Sequence, residues 1–123
     1  MTTFPAGKYY IGDPCYVIAN KNWGKLLEYT NYLNDGDFHY RRQLCHASGT
    51  AYGDGCYIDQ KGRGYGVDSG LISIMPVSAM DINKKGKDGQ IIEFTEDFNV
   101  DSHNGIFEFG DIIINTRGND DWQ

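Results

Sequence analysis

Three cysteines, Cys15, Cys45 and Cys56, are an odd number at wide spacings, and no C-x-x-C pair occurs among them. This excludes a disulfide framework and a zinc ribbon, and leaves reduced thiols whose expected role is packing. Long apolar runs are missing too. No stretch approaches the ~20 apolar residues that span a bilayer, and the start MTTFPAGKYYIGDP lacks a basic segment followed by an apolar core. The expectation is a soluble, cytoplasmic protein with no membrane contact. Basic charge is also scarce: 11 Lys and Arg face 17 Asp and Glu, for a net charge of −6 and a pI of about 4.8. That removes the electrostatic basis of general nucleic-acid binding, which rests on lysine and arginine against phosphate.

What is abundant points to strands. Sixteen glycines, nine tyrosines and six phenylalanines stand against three prolines, the mixture expected of short strands joined by tight turns. A length of 123 residues, 40% hydrophobic and 23% charged, fits a single compact domain, residues 1–123, ending in a short flexible acidic tail. The expected class is mainly β or α+β: an antiparallel sheet, small barrel or sandwich carrying one helix over about residues 22–33. Trp23, Leu26, Leu27, Thr30 and Leu33 recur at helical spacing there, behind the possible N-caps Asn20 and Asn22.

Residues 8–18 read as strand, turn, strand or as an extended bend, with Gly12-Asp13-Pro14 holding Asp13 in a defined pose. FHYRRQLCHA supplies a strand or a hairpin arm. Three further β pieces are expected near residues 50–52, 56–59 and 65–74, with a hairpin tip at 60–64 and a loop over 83–89. The C-terminal segment alternates apolar and polar residues as an antiparallel meander. Its Asn104-Gly105 dipeptide predicts a type I′ turn, which puts His103 opposite Ile106 and Asp101 opposite Glu108. That like-charge pair is a place where a cation could be drawn in.

Charge is unevenly distributed. Residues 1–92 carry ten bases and nine acids, whereas residues 93–123 carry eight acids and Arg117 alone. The acids either form the solvent-facing half of alternating strands or make a face for a basic partner. In the second case Glu93, Glu96, Asp97, Asp101, Glu108 and Asp111 are the partner-binding residues. No calcium loop of the D-x-[DN]-x-[DN]-G type is present, and His39, Cys45 and His46 do not complete a four-ligand metal site. Cys15 lacks the signature of a thiol nucleophile, although His39, His46 or His103 could in principle serve it. The run Gly62-Arg63-Gly64-Tyr65-Gly66 misses the last glycine of a dinucleotide loop. Neither a cofactor nor a metal is expected.

Tyrosines and arginines crowd into the motif-bearing segments. Tyr10, Tyr16, Tyr52, Tyr57 and Tyr65, with Arg42 and Arg63, either alternate through a small β core or offer rings and guanidiniums to a ligand. Asp13, Asp54 and Asp68 complete that candidate ligand-binding set, Asp54 having a turn-capping role as its alternative.

The strings KYYIGDPCYVI, TAYGDGCYID and YGVDSGLISIMPV, in this order across residues 8–77, resemble a family of small bacteriophage and bacterial proteins that has no assigned reaction. The resemblance implies a phage or prophage setting, hence the host cytoplasm. It also implies that the chain counters host defence by capturing a nucleotide-like signal or by docking on a defence protein. The leading expectation is therefore a non-enzymatic binding protein acting as a homo-oligomer, because one small domain offers little concavity. The alternatives are an acidic inhibitor that imitates nucleic acid, a small hydrolase or transferase using Asp13, Asp54 and Asp68, and a structural virion component.

Overall fold

A computed structural model describes residues 1–29, 36–81 and 88–118 of the chain. Within them the protein is mainly β and antiparallel, with one α-helix. The strands are β1 (Thr2–Phe4), β2 (Gly7–Gly12), β3 (Asp37–Tyr40), β4 (Gln43–Gly49), β5 (Gly55–Ile58), β6 (Gly64–Val67), β7 (Leu71–Pro76), β8 (Gln90–Phe94), β9 (Phe98–His103), β10 (Ile106–Phe109) and β11 (Ile112–Asn115). They form a five-stranded sheet in the order β3-β4-β7-β2-β8, a four-stranded sheet in the order β1-β9-β10-β11, and the β5-β6 hairpin. None of the sheets closes into a barrel, so the sandwich is the expected form that applies.

Alternation along the strands builds the layers. Tyr9 and Ile11 of β2, with Ile72 and Ile74 of β7, face Phe98, Val100, Phe107, Phe109, Ile112 and Ile114 of the four-stranded sheet in one buried cluster. Tyr10 and Met75 point the other way and join Val17, Ile18, Leu26, Phe38 and Cys45 under the helix. The five-stranded sheet thus lies between the helix and the second sheet. The helix, α1 (Asn20–Tyr29), begins two residues before the expected start, and the expected residues 30–33 lie outside the described residues. Neither Asn20 nor Asn22 is the residue before the helix; that is Ala19, whose carbonyl accepts the amides of Asn22 and Trp23.

Four other expectations change. After β2 the chain does not resume a strand: Pro14–Tyr16 is a 3-10 turn, started by the fixed φ of Pro14 and capped by the Asp13 carboxylate. Residues 50–52 are a bend and not a strand, and the expected strand over 65–74 is broken by a turn at 68–70 between β6 and β7. FHYRRQLCHA is a complete hairpin, with Arg41 and Arg42 as its two turn residues. The Asn104-Gly105 turn has both φ values positive, 50° and 79°, and pairs His103 with Ile106 and Asp101 with Glu108 as the dipeptide predicts. The tip over 60–64 joins β5 to β6. Most of the 83–89 loop and all of the acidic tail over 119–123 lie outside the described residues.

Candidate functional site

Apart from Arg42 and Asp54, the residues expected to bind a ligand divide into three groups, and the polar groups of the first two are engaged in hydrogen bonds within the protein. The Asp13 carboxylate is buried and accepts hydrogen bonds from Cys15 N (2.9 Å), Asp68 N (2.7 Å), Ser69 N (2.6 Å) and Ser69 Oγ (2.7 Å). The buried Tyr10 hydroxyl donates to the Asp13 carbonyl at 3.0 Å, and the Tyr16 hydroxyl donates to the Asp68 carboxylate. Burial, followed by the Asp13 charge, pushes the Tyr10 phenol far above its usual value, while the bond to Asp68 does the same for Tyr16. Tyr10, Asp13, Tyr16 and Asp68 are therefore brought together, as a lock between the 3-10 turn and the β6-β7 turn. Asp13 has no open face with which to act as a catalytic or ligand-binding carboxylate.

Asp59 organises the second group. It is buried and accepts from Lys61 N (2.8 Å), Arg63 N (3.1 Å), Arg63 Nε (2.7 Å) and the Tyr65 hydroxyl (2.7 Å). Burial pushes its carboxyl up, but these bonds outweigh it and hold Asp59 below the ordinary range. Tyr65 is fully buried core, and its phenol is raised by burial and by Asp59. Arg63 and Tyr65 thus fasten the β5-β6 hairpin through Asp59. Arg42 stands exposed on the β3-β4 turn, and Asp54 is exposed in the bend before β5.

The third group opens to solvent. Tyr52, 60% exposed, lines two adjoining clefts of about 470 and 510 Å³. Tyr57 and Ile58 line the first, Thr50 and the Asn104-Gly105 turn line the second, and Arg117 borders both. Three loops are welded to form this surface. Thr116 Oγ1 accepts from Ala51 N at 2.9 Å and donates to the Gly105 carbonyl at 2.5 Å, and Thr116 N donates to that same carbonyl at 2.9 Å. Gly105 is obligatory at this junction: a Cβ there would lie 2.8 Å from Thr116 Oγ1 and 2.9 Å from the Ala51 Cβ. The Tyr57 hydroxyl donates to the Gly53 carbonyl at 2.9 Å and so fixes the bend that carries Tyr52. Sequence reasoning did not place Arg117 in the site. Its signal was its isolation, the only base among eight acids after residue 92.

The expected partner-binding acids are exposed, apart from half-buried Asp101, but they do not share one face. Asp101 and Glu108 sit opposite each other on the outer face of the four-stranded sheet, whereas Glu93 lies across from Lys8 in the other sheet. Glu96 and Asp97 occupy the β8-β9 connection, where Asp97 accepts the Ala6 amide at 2.9 Å, and Asp111 lies in the β10-β11 turn. Among the described residues no group of three or more His, Cys, Asp or Glu is placed to hold a metal ion, and no helix is long and apolar enough to cross a membrane. No protein-family model, curated protein or solved structure matches the chain.

Proposed function

We propose that the protein is a phage-type binding protein that captures a small nucleotide-like ligand and thereby blunts a host defence signal. The observation that carries this reading is the exposed Tyr52 ring standing with Arg117 over two joined clefts. Ring and guanidinium supply the two contacts that a nucleotide needs: a stacking face for its base and a fork of donors for its phosphate. Each cleft is in the size range of small-molecule sites. The phage setting rests on the resemblance of residues 8–77 alone. Calorimetric titration with mono-, di- and cyclic nucleotides tests the reading. Tyr52→Ala or Arg117→Ala should weaken the best ligand about tenfold or more. Saturable binding that both variants retain would place the ligand elsewhere, and no binding by any nucleotide would remove the reading.

A second reading is an inhibitor that presents carboxylates to a basic partner. The pairing of Asp101 with Glu108 across β9 and β10 favours it, since two like charges held side by side imitate spaced phosphates. Reversing Asp101 and Glu108 to lysine should abolish salt-sensitive capture of such a partner and leave nucleotide binding intact. Native mass spectrometry of protein purified from infected cells separates a retained small ligand, a bound protein and a bare oligomer.

A further inference from the structure

The inner face of the sandwich holds a chain of three side chains that the Tyr52 surface does not use. Asp37 comes from the start of β3, His46 from β4 and Ser102 from β9 of the opposite sheet. His46 Nδ1 lies 2.7 Å from Asp37 Oδ1, and His46 Nε2 lies 2.7 Å from Ser102 Oγ. The other carboxylate oxygen of Asp37 accepts the Thr2 hydroxyl, so both of its oxygens are fixed. Burial pushes the Asp37 carboxyl up, but the hydrogen bonds from Thr2 and His46 outweigh it and keep the group ionised at neutral pH. With Asp37 as an anion, the Nδ1–H tautomer is favoured and Nε2 is left as an acceptor for the serine hydroxyl.

The arrangement does not end in closed core. Asp37, His46 and Ser102 line a cavity of about 240 Å³ together with Gly36, Ser48 and Asp101. β1 pairs with β9 only as far as Val100, so Ser102 lies beyond the part of β9 that β1 covers. His46 is held from a third direction by the edge of the Phe109 ring, with centroids 6.4 Å apart, which restricts imidazole rotation. Ser48 brings a second hydroxyl to the cavity and also lines the cleft over Asn104-Gly105, so the two spaces are neighbours.

We propose that Ser102 is a nucleophile, with His46 as its general base and Asp37 as the carboxylate that orients the imidazole, and that the substrate class is a small ester with a neutral, short acyl group. Ser102 Oγ attacks the carbonyl carbon as its proton passes to His46 Nε2. The bond to the leaving alcohol breaks, and the alcohol departs with that proton. Water then attacks the acyl-serine, gives a proton to Nε2, and the carboxylic acid leaves as Ser102 regains its hydrogen. The cavity size limits the acyl group to a few carbons, and the Asp37 carboxylate beside His46 disfavours an anionic one. The proposal does not depend on the Tyr52 clefts.

The test is covalent labelling of the full chain with an alkyl fluorophosphonate, in which the serine oxygen bonds to phosphorus and fluoride leaves. Intact-mass and peptide analysis should show one adduct, on Ser102, absent in Ser102→Ala and slowed about 100-fold or more in His46→Asn. Hydrolysis of p-nitrophenyl acetate should fall in parallel. Asp37→Asn is a further variant, half-exposed and so milder for the fold, and should slow labelling while circular dichroism stays unchanged. A folded wild-type protein that takes up no probe would overturn the proposal, as would an adduct on any other serine or equal labelling of His46→Asn. The three side chains would then serve only to tie the two sheets together. Nucleotide binding at Tyr52 would be untouched by that result.

Discussion

Asp81 shows at the residue scale how this protein tolerates charge in its interior. It is buried, and it accepts from Ala19 N (2.5 Å), the Tyr40 hydroxyl (2.7 Å) and Arg41 Nε (2.9 Å), with an ion pair to the second Arg41 nitrogen. Burial pushes its carboxyl up, but these bonds prevail and hold it below the ordinary value of 3.8. A depressed folded value means that the ion stabilises the fold above the unfolded value, and that this contribution drains away as pH falls below 3.8 toward the folded one. Asp81→Asn should therefore lower the unfolding free energy at pH 7, read from urea titration, by roughly 1 to 3 kcal/mol because Arg41 is half in solvent, and should flatten the acid loss. An unchanged midpoint would deny Asp81 its anchoring role. The thiols also differ from the packing role expected of all three, because Cys56 is exposed whereas Cys45 is buried and pushed up to about 12 by that burial. A thiol reagent at neutral pH should modify Cys56 rapidly and Cys45 only on unfolding. Rapid native modification of Cys45 would mean that the helix layer opens easily.

Among the elements, the two hairpin turns on either side of the core show what could and could not be read in advance. Asn104-Gly105 was legible because its two residues tolerate positive φ by their own chemistry. Arg41 and Arg42 occupy the same backbone region, φ 52° and 64°, with none of that tolerance. The compensation is tertiary: Arg41 reaches Asp81, forty residues on, and lies 5.8 Å over the Tyr40 ring. No local pattern announces such a contact. Arg42→Gly should relieve strain and raise stability by up to about 1 kcal/mol, whereas Arg41→Gly should lower it by detaching Asp81. Equal shifts of the melting temperature in the two variants would show that the turn alone sets the energy. The sites were hidden for the same reason. Asp37, His46 and Ser102 come from three strands in two sheets, and Arg117 shares its clefts with Tyr52 because Thr116 welds its loop to residue 51. Period-two alternation exposed the strands and their buried faces, but not which strands would lie across from one another.

At the scale of the whole molecule, the five-stranded sheet is the shared wall of both hydrophobic clusters. Successive residues of β2 serve opposite layers, Tyr9 and Ile11 the sandwich and Tyr10 the helix side, and β7 divides Ile74 from Met75 in the same way. A strand cannot leave one layer without uncovering the other, so loss of either cluster removes the support of both. Trp23, packed against the helix-side cluster, reports one layer, and Phe107, fully buried in the sandwich, lies in the other. In a Trp122→Phe background, where fluorescence comes from Trp23 alone, urea unfolding followed by fluorescence and by far-ultraviolet circular dichroism should coincide. Adding Phe107→Ala should cost roughly 3 to 5 kcal/mol and move both curves together, although residue 107 does not belong to the cluster that contains Trp23. If the fluorescence curve stayed in place while the dichroism curve moved, the layers would be separate folding units. The sheet between them would then be a boundary, and the Tyr52 clefts and the Ser102 cavity, both on the sandwich side, could open without disturbing the helix.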